Sequence, residues 1–446
     1  MFRLPVSALI YGVVFQYAYM AYINQVFEYA HYLYLPTSVI SLLFTYGLVA
    51  APVIAYRASL APAAYGAALI FALCYVPAQL ILLFNWQRTE GELALVQASL
   101  AASMAILLRV SALGGKAAVV PFSANRRLSA MLGVLTVVSL IVFVLNYHQH
   151  MRLVSFEDVY ELRFETNQVD KGAFVNYLTT WLSYCFLPFY FARGVLRKNP
   201  IDIGIGLVGS LLIYAAMGSK AAILMGFVIY ALHLLFGSGK NFLFRLLVVL
   251  FVAVILIVSV LPDEGPLLWV KSILLVRVLG TSGWTMSTYY DYFTTNGFTF
   301  YTHIGPINAL TGAYPYGEYS LGQIIGLHYS GSVEANFNAN FWASDAFAAL
   351  GIAGLPLVTG VLSAVFFAIN RAANGYSTEF VVLWLSGFWL ALLNLPLSVA
   401  LLSGGGLMTS LLLWGASPYQ LMQKFSHTPS RGTISSKTEL HSARKV

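Results

Sequence analysis

The sequence predicts an all-α polytopic membrane protein with about twelve transmembrane helices. Three observations predict it. The 446 residues are 59% hydrophobic and only 9% charged, where a soluble domain carries about 25% charged residues. Uncharged apolar runs of spanning length recur along the whole chain. The basic residues gather in alternate loops, as the positive-inside rule requires. A membrane barrel would instead need roughly ten-residue alternating strands, and the sequence has no such pattern.

Candidate spans lie at 8–26, 37–56, 61–84, 93–112, 128–147, 174–192, 201–217, 221–237, 244–262, 346–369, 379–401 and 404–418. The first is read as a retained anchor, because no small-residue cleavage site follows it. With the N-terminus in the cytoplasm, the inner loops hold Arg57, Lys116, Arg126, Arg127, Arg193, Arg197, Lys198, Lys240, Arg245 and Arg371. The acids run the other way: only Asp202, Glu379 and Glu439 fall inside. An even span count puts both termini in the cytoplasm. Residues 1–425 then form one transmembrane domain, and 426–446 a disordered basic tail rich in Ser and Thr. Its cations suit anionic lipid headgroups. The net charge of +7 therefore reads as membrane topology rather than nucleic-acid binding. Cys74 and Cys185 sit singly in apolar runs and read as small core hydrophobes.

Two outer loops are long, 148–174 and 263–345, and long loops are usually functional or disordered. The larger is aromatic and patterned rather than low in complexity. LLWVKSILLVRVLG (267–280) predicts a short helix lying on or dipping into the membrane. WTMSTYYDYFTTN (284–296) predicts a second helix ending at Gly297.

Outer basic residues are scarce: Arg88, Arg152, Arg163, Lys171, Lys220, Lys271 and Arg277. Lys220 lies in a turn so short that its charge must sit at the interface, and Arg277 is flanked by apolar residues. Ionisable groups at such depth suggest function, with snorkelling or pairing to an acid as the alternative. Arg163, among Glu157, Asp158, Glu161 and Glu165, fits a solvated ion-paired helix face equally well. Together, Arg277, Arg163 and Lys220 would make an anion clamp suited to a pyrophosphate. Tyr289, Tyr290, Asn340 and Trp342 would offer stacking faces and hydrogen bonds to a sugar, against an ordinary interfacial aromatic belt. His328, Glu318 and His303 are the candidate proton carriers in the large loop, although the residue types alone favour loop residues satisfied by a partner. HQH at 148–150 lacks further metal partners, and the chain has no GxxxxGK[ST] phosphate loop and no HExxH. No metal and no cofactor are expected.

The chain resembles the bacterial O-antigen or oligosaccharide repeat-unit polymerases of the Wzy type. The residues that carry the resemblance are the turn GSKAAIL (218–224), RVLGTSGW (277–284), the tyrosine-rich YYDYF (289–293) and the approach NANFWASDAFAALGIAGL (338–355). The span number, two enlarged periplasmic loops and basic tail fit as well, and the likeness covers most of 150–370. It implies a GT-C-like membrane glycosyltransferase in the bacterial inner membrane, with its site facing the periplasm. Its substrates would be undecaprenyl-diphosphate-linked oligosaccharides, and it would add the growing glycan to the non-reducing end of a new unit. A periplasmic Arg in each of two long loops, which Arg163 and Arg277 match, would belong to the site. A chain-length regulator is an implied partner. The alternatives are the O-antigen ligase, in which His328 or His303 would fill the role of a loop histidine, and a flippase for the same lipid-linked sugar. The near absence of ionisable residues from span centres, with His233 the main exception, weighs against a flippase.

Overall fold

The computed structural model describes residues 3–115, 126–154, 159, 162, 165–166, 172–237, 241–265, 267–337 and 341–416. Among them every regular element is helical. In chain order the helices are α1 (Arg3–Ala30), α2 (Val39–Ala55), α3 (Pro62–Asn85), α4 (Glu90–Val110), α5 (Arg126–His150), α6 (172–197), α7 (Pro200–Met217), α8 (Lys220–Phe236) and α9 (Phe242–Val260). They continue with α10 (Leu267–Asn296), α11 (Gly305–Thr311), α12 (Leu321–Ser330), α13 (Trp342–Ala372), α14 (378–394) and α15 (Leu397–Gly415). Nine of these described helices are long and apolar enough to cross a membrane: α1, α3, α4, α5, α7, α9, α10, α13 and α15. The chain is thus an α-helical, membrane-embedded protein.

Two of these boundaries differ from the sequence expectation. The spans expected at 379–401 and 404–418 are cut elsewhere, because Leu395 is extended ahead of Pro396 and ends α14 at Asn394. A residue before proline is pushed out of the helical region. The two helices expected at 267–280 and 284–296 are one, α10, running through 281–283 without a break. Gly297, with φ +109°, stops it where expected.

The bundle is built around α3, whose apolar window is 94% buried, whereas α5 and α9 are only 28% and 22% buried and form its rim. Small residues along α3 let neighbours approach closely, which matters in lipid because apolar side chains gain little from leaving lipid tails. A Cβ on Gly66 would meet the Trp389 ring of α14 at 2.5 Å. A buried polar tie joins three helices: Gln79 of α3 and Gln97 of α4 exchange side-chain-to-carbonyl bonds of 3.0 and 2.8 Å, and Thr45 of α2 donates to Gln97 Oε1.

Local contacts define the two ends of the bundle. At one, Leu35 N–H donates to Phe84 O, Leu33 N–H to Asn85 Oδ1, and Trp284 Nε1 to His31 O. At the other, buried Asn370 accepts from Ala63 N–H and donates to Ser111 O and Leu113 O, stitching three segments together. Arg193 holds Asp202 there in a buried ion pair and lies over the Phe189 and Tyr190 rings.

Helix α10 contacts the first of these ends at both of its own. Lys271, 2% exposed, is held by Asp263 Oδ1 (2.6 Å), the carbonyls of Val258 and Leu261, and the Tyr22 ring. Near the far terminus Arg88 binds Asp291 and Thr295. Between them, Gly283 brings the helix against Ala78 and Ile81 of α3.

Candidate functional site

The end that carries α10 also gathers many polar and aromatic side chains. Three groupings stand there.

The first is a cleft between the 31–33 segment, the α3–α4 turn and α10, lined by His31, Asn85, Trp86, Arg88, Tyr290, Asp291 and Tyr329 among others. Thr89 starts α4 with a capping box to Glu92 and so fixes the turn carrying Arg88. Arg88 reaches 203 residues along the chain: Nε donates to Asp291 Oδ1 at 2.8 Å, and a terminal nitrogen to Asp291 O and Thr295 Oγ1. Its guanidinium lies 5.8 Å above the Tyr290 ring. Its charge is therefore matched by a carboxylate, and it works first as a staple. His31 has left-handed backbone, φ 62°, an uncommon conformation for any residue with a side chain. Its ring meets Tyr329 edge to face at 5.3 Å.

The second is a pocket of rings, Tyr292 from α10, Tyr316 and Tyr319 from the turn before α12, and His328 from α12, with Ile324 and Leu327. Tyr292 and His328 meet at 5.1 Å and 67°. The cleft and the pocket share a wall, since Tyr290 and Asp291 face one and Tyr292 the other, while Tyr329 and His328 divide in the same way.

The third is internal. His303 Nδ1 lies 2.7 Å from Thr299 Oγ1, and Nε2 lies 2.8 Å from Asp345 Oδ1. The two side chains are 6% and 2% exposed. The Nε2 and Oδ1 atoms meet at this distance without a hydrogen bond between them. The loop that carries His303 takes consecutive left-handed residues, Phe300 and Tyr301, and is tied to α13 by Thr299 and Phe300 N–H donating to Ala348 and Ala349 O.

The residues singled out from sequence distribute as follows. His328 and Tyr290 lie in the pocket and the cleft. Glu318 is exposed beside Tyr319. Arg277 is exposed on α10 and its charge acts on the Tyr32 hydroxyl. Burial pushes that hydroxyl up to about 12, with a Thr281 hydrogen bond and then Arg277 pulling it down. Lys220 is half-buried at the start of α8, beside Gly218, against which Val159 packs. Near it, Arg152 N–H donates to Ala215 O and Thr166 Oγ1 to Ala216 O, tying those two residues to α7. Arg277 thus acts on Tyr32, whereas Lys220 starts its helix two residues after the glycine that Val159 packs against. Arg163 and Asn340 lie outside the described residues.

Two expected sugar-binding residues occupy the core instead. Tyr289 and Trp342 are both fully buried, and Tyr289 donates its hydroxyl to Phe337 O. They face inward because α10 and α13 pack on each other along that stripe. His303 is likewise enclosed rather than presented to a ligand. Sequence reasoning missed Tyr292, Tyr316, Tyr319 and His31, although the tyrosine density of YYDYF and AYPYGEY marks three of them. No local signal marks the Arg88–Asp291 staple.

No family model matches this chain, and no curated protein or solved structure matches it.

Proposed function

We propose that this protein is a polymerase of undecaprenyl-diphosphate-linked oligosaccharide repeat units. It sits in the bacterial inner membrane with twelve spans, both termini in the cytoplasm and the α10 end facing the periplasm. In this reading α10 is an outer-leaflet helix and not a thirteenth span, since both of its ends meet the same end of the bundle.

The observation that supports it is the concentration of chemistry at one end. Arg88, Arg277, His31 and His328 and two ring-lined depressions surround α10, while deeper in the bundle Gln79 and Gln97 bond to each other's carbonyls. Chemistry at one face suits group transfer between lipid-borne substrates. A flippase would instead line a central path.

The transfer forms a bond from an acceptor hydroxyl oxygen to the donor's anomeric carbon. The bond from that carbon to the phosphate oxygen breaks, and lipid diphosphate leaves with the electron pair. Arg277 would stabilise the charge developing on the leaving group, and His328, exposed at the pocket, would take the acceptor proton.

Deleting the gene and resolving the cell's lipopolysaccharide on a gel tests the reading. Core carrying a single repeat unit is expected. Core without repeats and polymer held on the lipid carrier would indicate a ligase, single units stranded in the inner leaflet a flippase, and an unchanged ladder would sink the proposal. Arg277→Ala should shorten the polymer at normal expression, and full-length polymer would remove its assigned role.

A further inference from the structure

We infer that the pocket between α10 and α12 is a binding subsite for one neutral pyranose ring. Its lining is unusual in having four rings, Tyr292, Tyr316, Tyr319 and His328, and only two aliphatic side chains, Ile324 and Leu327. Its volume of about 270 Å³ is near the lower end of small-molecule sites, about 300–1,000 Å³, and suits one sugar unit rather than a chain of them.

Three of the four rings, Tyr292, Tyr316 and His328, are held in place before any ligand arrives. Tyr316 donates its hydroxyl to Gly297 O at 2.6 Å, which ties the turn to the end of α10. Tyr314 donates to Tyr319 O at 2.7 Å, closing the 314–319 segment on itself. Ser320 and Gln323 form a capping box one residue beyond Tyr319 and fix where α12 begins. Tyr292 is gripped between Tyr316, at 6.1 Å, and His328, at 5.1 Å. Ordering these side chains on binding therefore costs little, which favours affinity from a small contact area.

The lining chemistry selects the occupant. Flat aromatic faces favour a ligand with an apolar face, and phenol and imidazole tips favour one with hydroxyls at its edge. A pyranose has both. An acyl chain would meet flat ring faces and only two aliphatic side chains, and would leave the phenol and imidazole tips without partners. A phosphate would find no Arg or Lys in the lining, and Glu318, exposed next to Tyr319, disfavours an acidic sugar. The glycan thus docks here, while the cations lie across the shared wall and along α10.

The assignment rests on the polymerase reading for the presence of a glycan at this face, but binding does not require turnover. The test uses the full chain purified in detergent and ligand-observed saturation-transfer NMR. The probes are methyl glycosides of neutral hexoses and deoxyhexoses, with glycerol as a polyol lacking a ring face. Saturation is expected on the C–H protons of one ring face of at least one glycoside and not on glycerol. Tyr319 is exposed enough to replace without disturbing the core. Tyr319→Ala should weaken binding about fivefold or more, while Tyr319→Phe, which keeps the ring, stays within about twofold. Leu327→Arg, at a second exposed position, should block the pocket even if Tyr319→Ala proves unstable. No saturation from any glycoside, or saturation that survives both Tyr319→Ala and Leu327→Arg, overturns the assignment. An unchanged lipopolysaccharide ladder on gene deletion, with glycoside binding intact, would remove the polymerase reading and leave the pocket standing. A single-repeat deletion phenotype without glycoside binding would do the reverse.

Discussion

Asp345 carries one of the clearest shifts between pattern and position. In sequence it belongs to a polar, aromatic run, SVEANFNANFWASDAF, that suits a carbohydrate platform. In the structure it is 1% exposed and faces His303. Removing one partner of a buried polar pair leaves the other group unmatched, at a cost of about 1–3 kcal/mol. Asp345→Ala and His303→Ala should each lower the melting temperature strongly in detergent, and the double variant should lose less than the sum. Additive losses would show that the two groups do not couple. Arg88 is different, because it and Asp291 are 24% and 50% exposed. Exposed ion pairs contribute about 0–1 kcal/mol, so Arg88→Gln should shift the melting point little while loosening the α3–α4 turn from α10. Increased hydrogen exchange over residues 86–89 without general unfolding would report this.

Tyrosines at this end also set an alkaline limit. Burial pushes the hydroxyls of Tyr32, Tyr301 and Tyr329 up to about 12 from an ordinary 10. Their folded-state pKa values are raised, so the stabilisation is complete below pH 10 and is lost as pH rises from there through about 12. The melting temperature should be insensitive to these groups at neutral pH and fall above pH 10. A melting point that stays level to pH 12 would contradict the burial of these hydroxyls.

At the scale of elements, α10 shows how a correct local reading can miscount. Both halves were legible as helices and Gly297 as a stop, yet 281–283 runs on because nothing in TSG forces a break once the helix is packed on α3. Close approach decides the neighbouring α12. A Cβ on Gly326 would lie 1.6 Å from Ala335 O, a backbone atom that cannot turn aside. Ala is the better helix former by about 0.5–1 kcal/mol, but here the clash outweighs that gain. Gly326→Ala should destabilise by about 1–3 kcal/mol and displace the 332–337 segment, lifting Phe337 from Trp284, its ring neighbour at 4.8 Å. Gly360 of α13 has nothing within 4 Å of such a Cβ, so Gly360→Ala should be neutral or slightly stabilising. Equal melting shifts for the two variants would refute the close-approach argument.

For the whole molecule, the two stitched ends make topology measurable. Cys74 and Cys185 are buried, so the native chain should resist a membrane-impermeant maleimide. Leu310→Cys, at an 88% exposed position in α11 beyond α10, should label from outside intact spheroplasts. Ala58→Cys, exposed in the α2–α3 turn, should label only after the membrane is opened. Labelling of both from the same side would overturn the topology.

Taken alone, the sequence determined that this chain is helical and lives in lipid. That information is local: in a bilayer each segment must satisfy its own backbone hydrogen bonds and match the membrane thickness, so composition and length suffice. The same locality let the tyrosine-rich stretches and His328 stand out. Which aromatic faces inward is not local. Tyr289 and Tyr290 are adjacent, yet one donates to Phe337 O in the core and the other lines a cleft under Arg88. The tertiary structure alone decided that division, along with the joining of Arg88 to Asp291 and of His303 to Asp345. Such pairings depend on how α10 packs across α3 and α13, and no spacing along the chain encodes that packing.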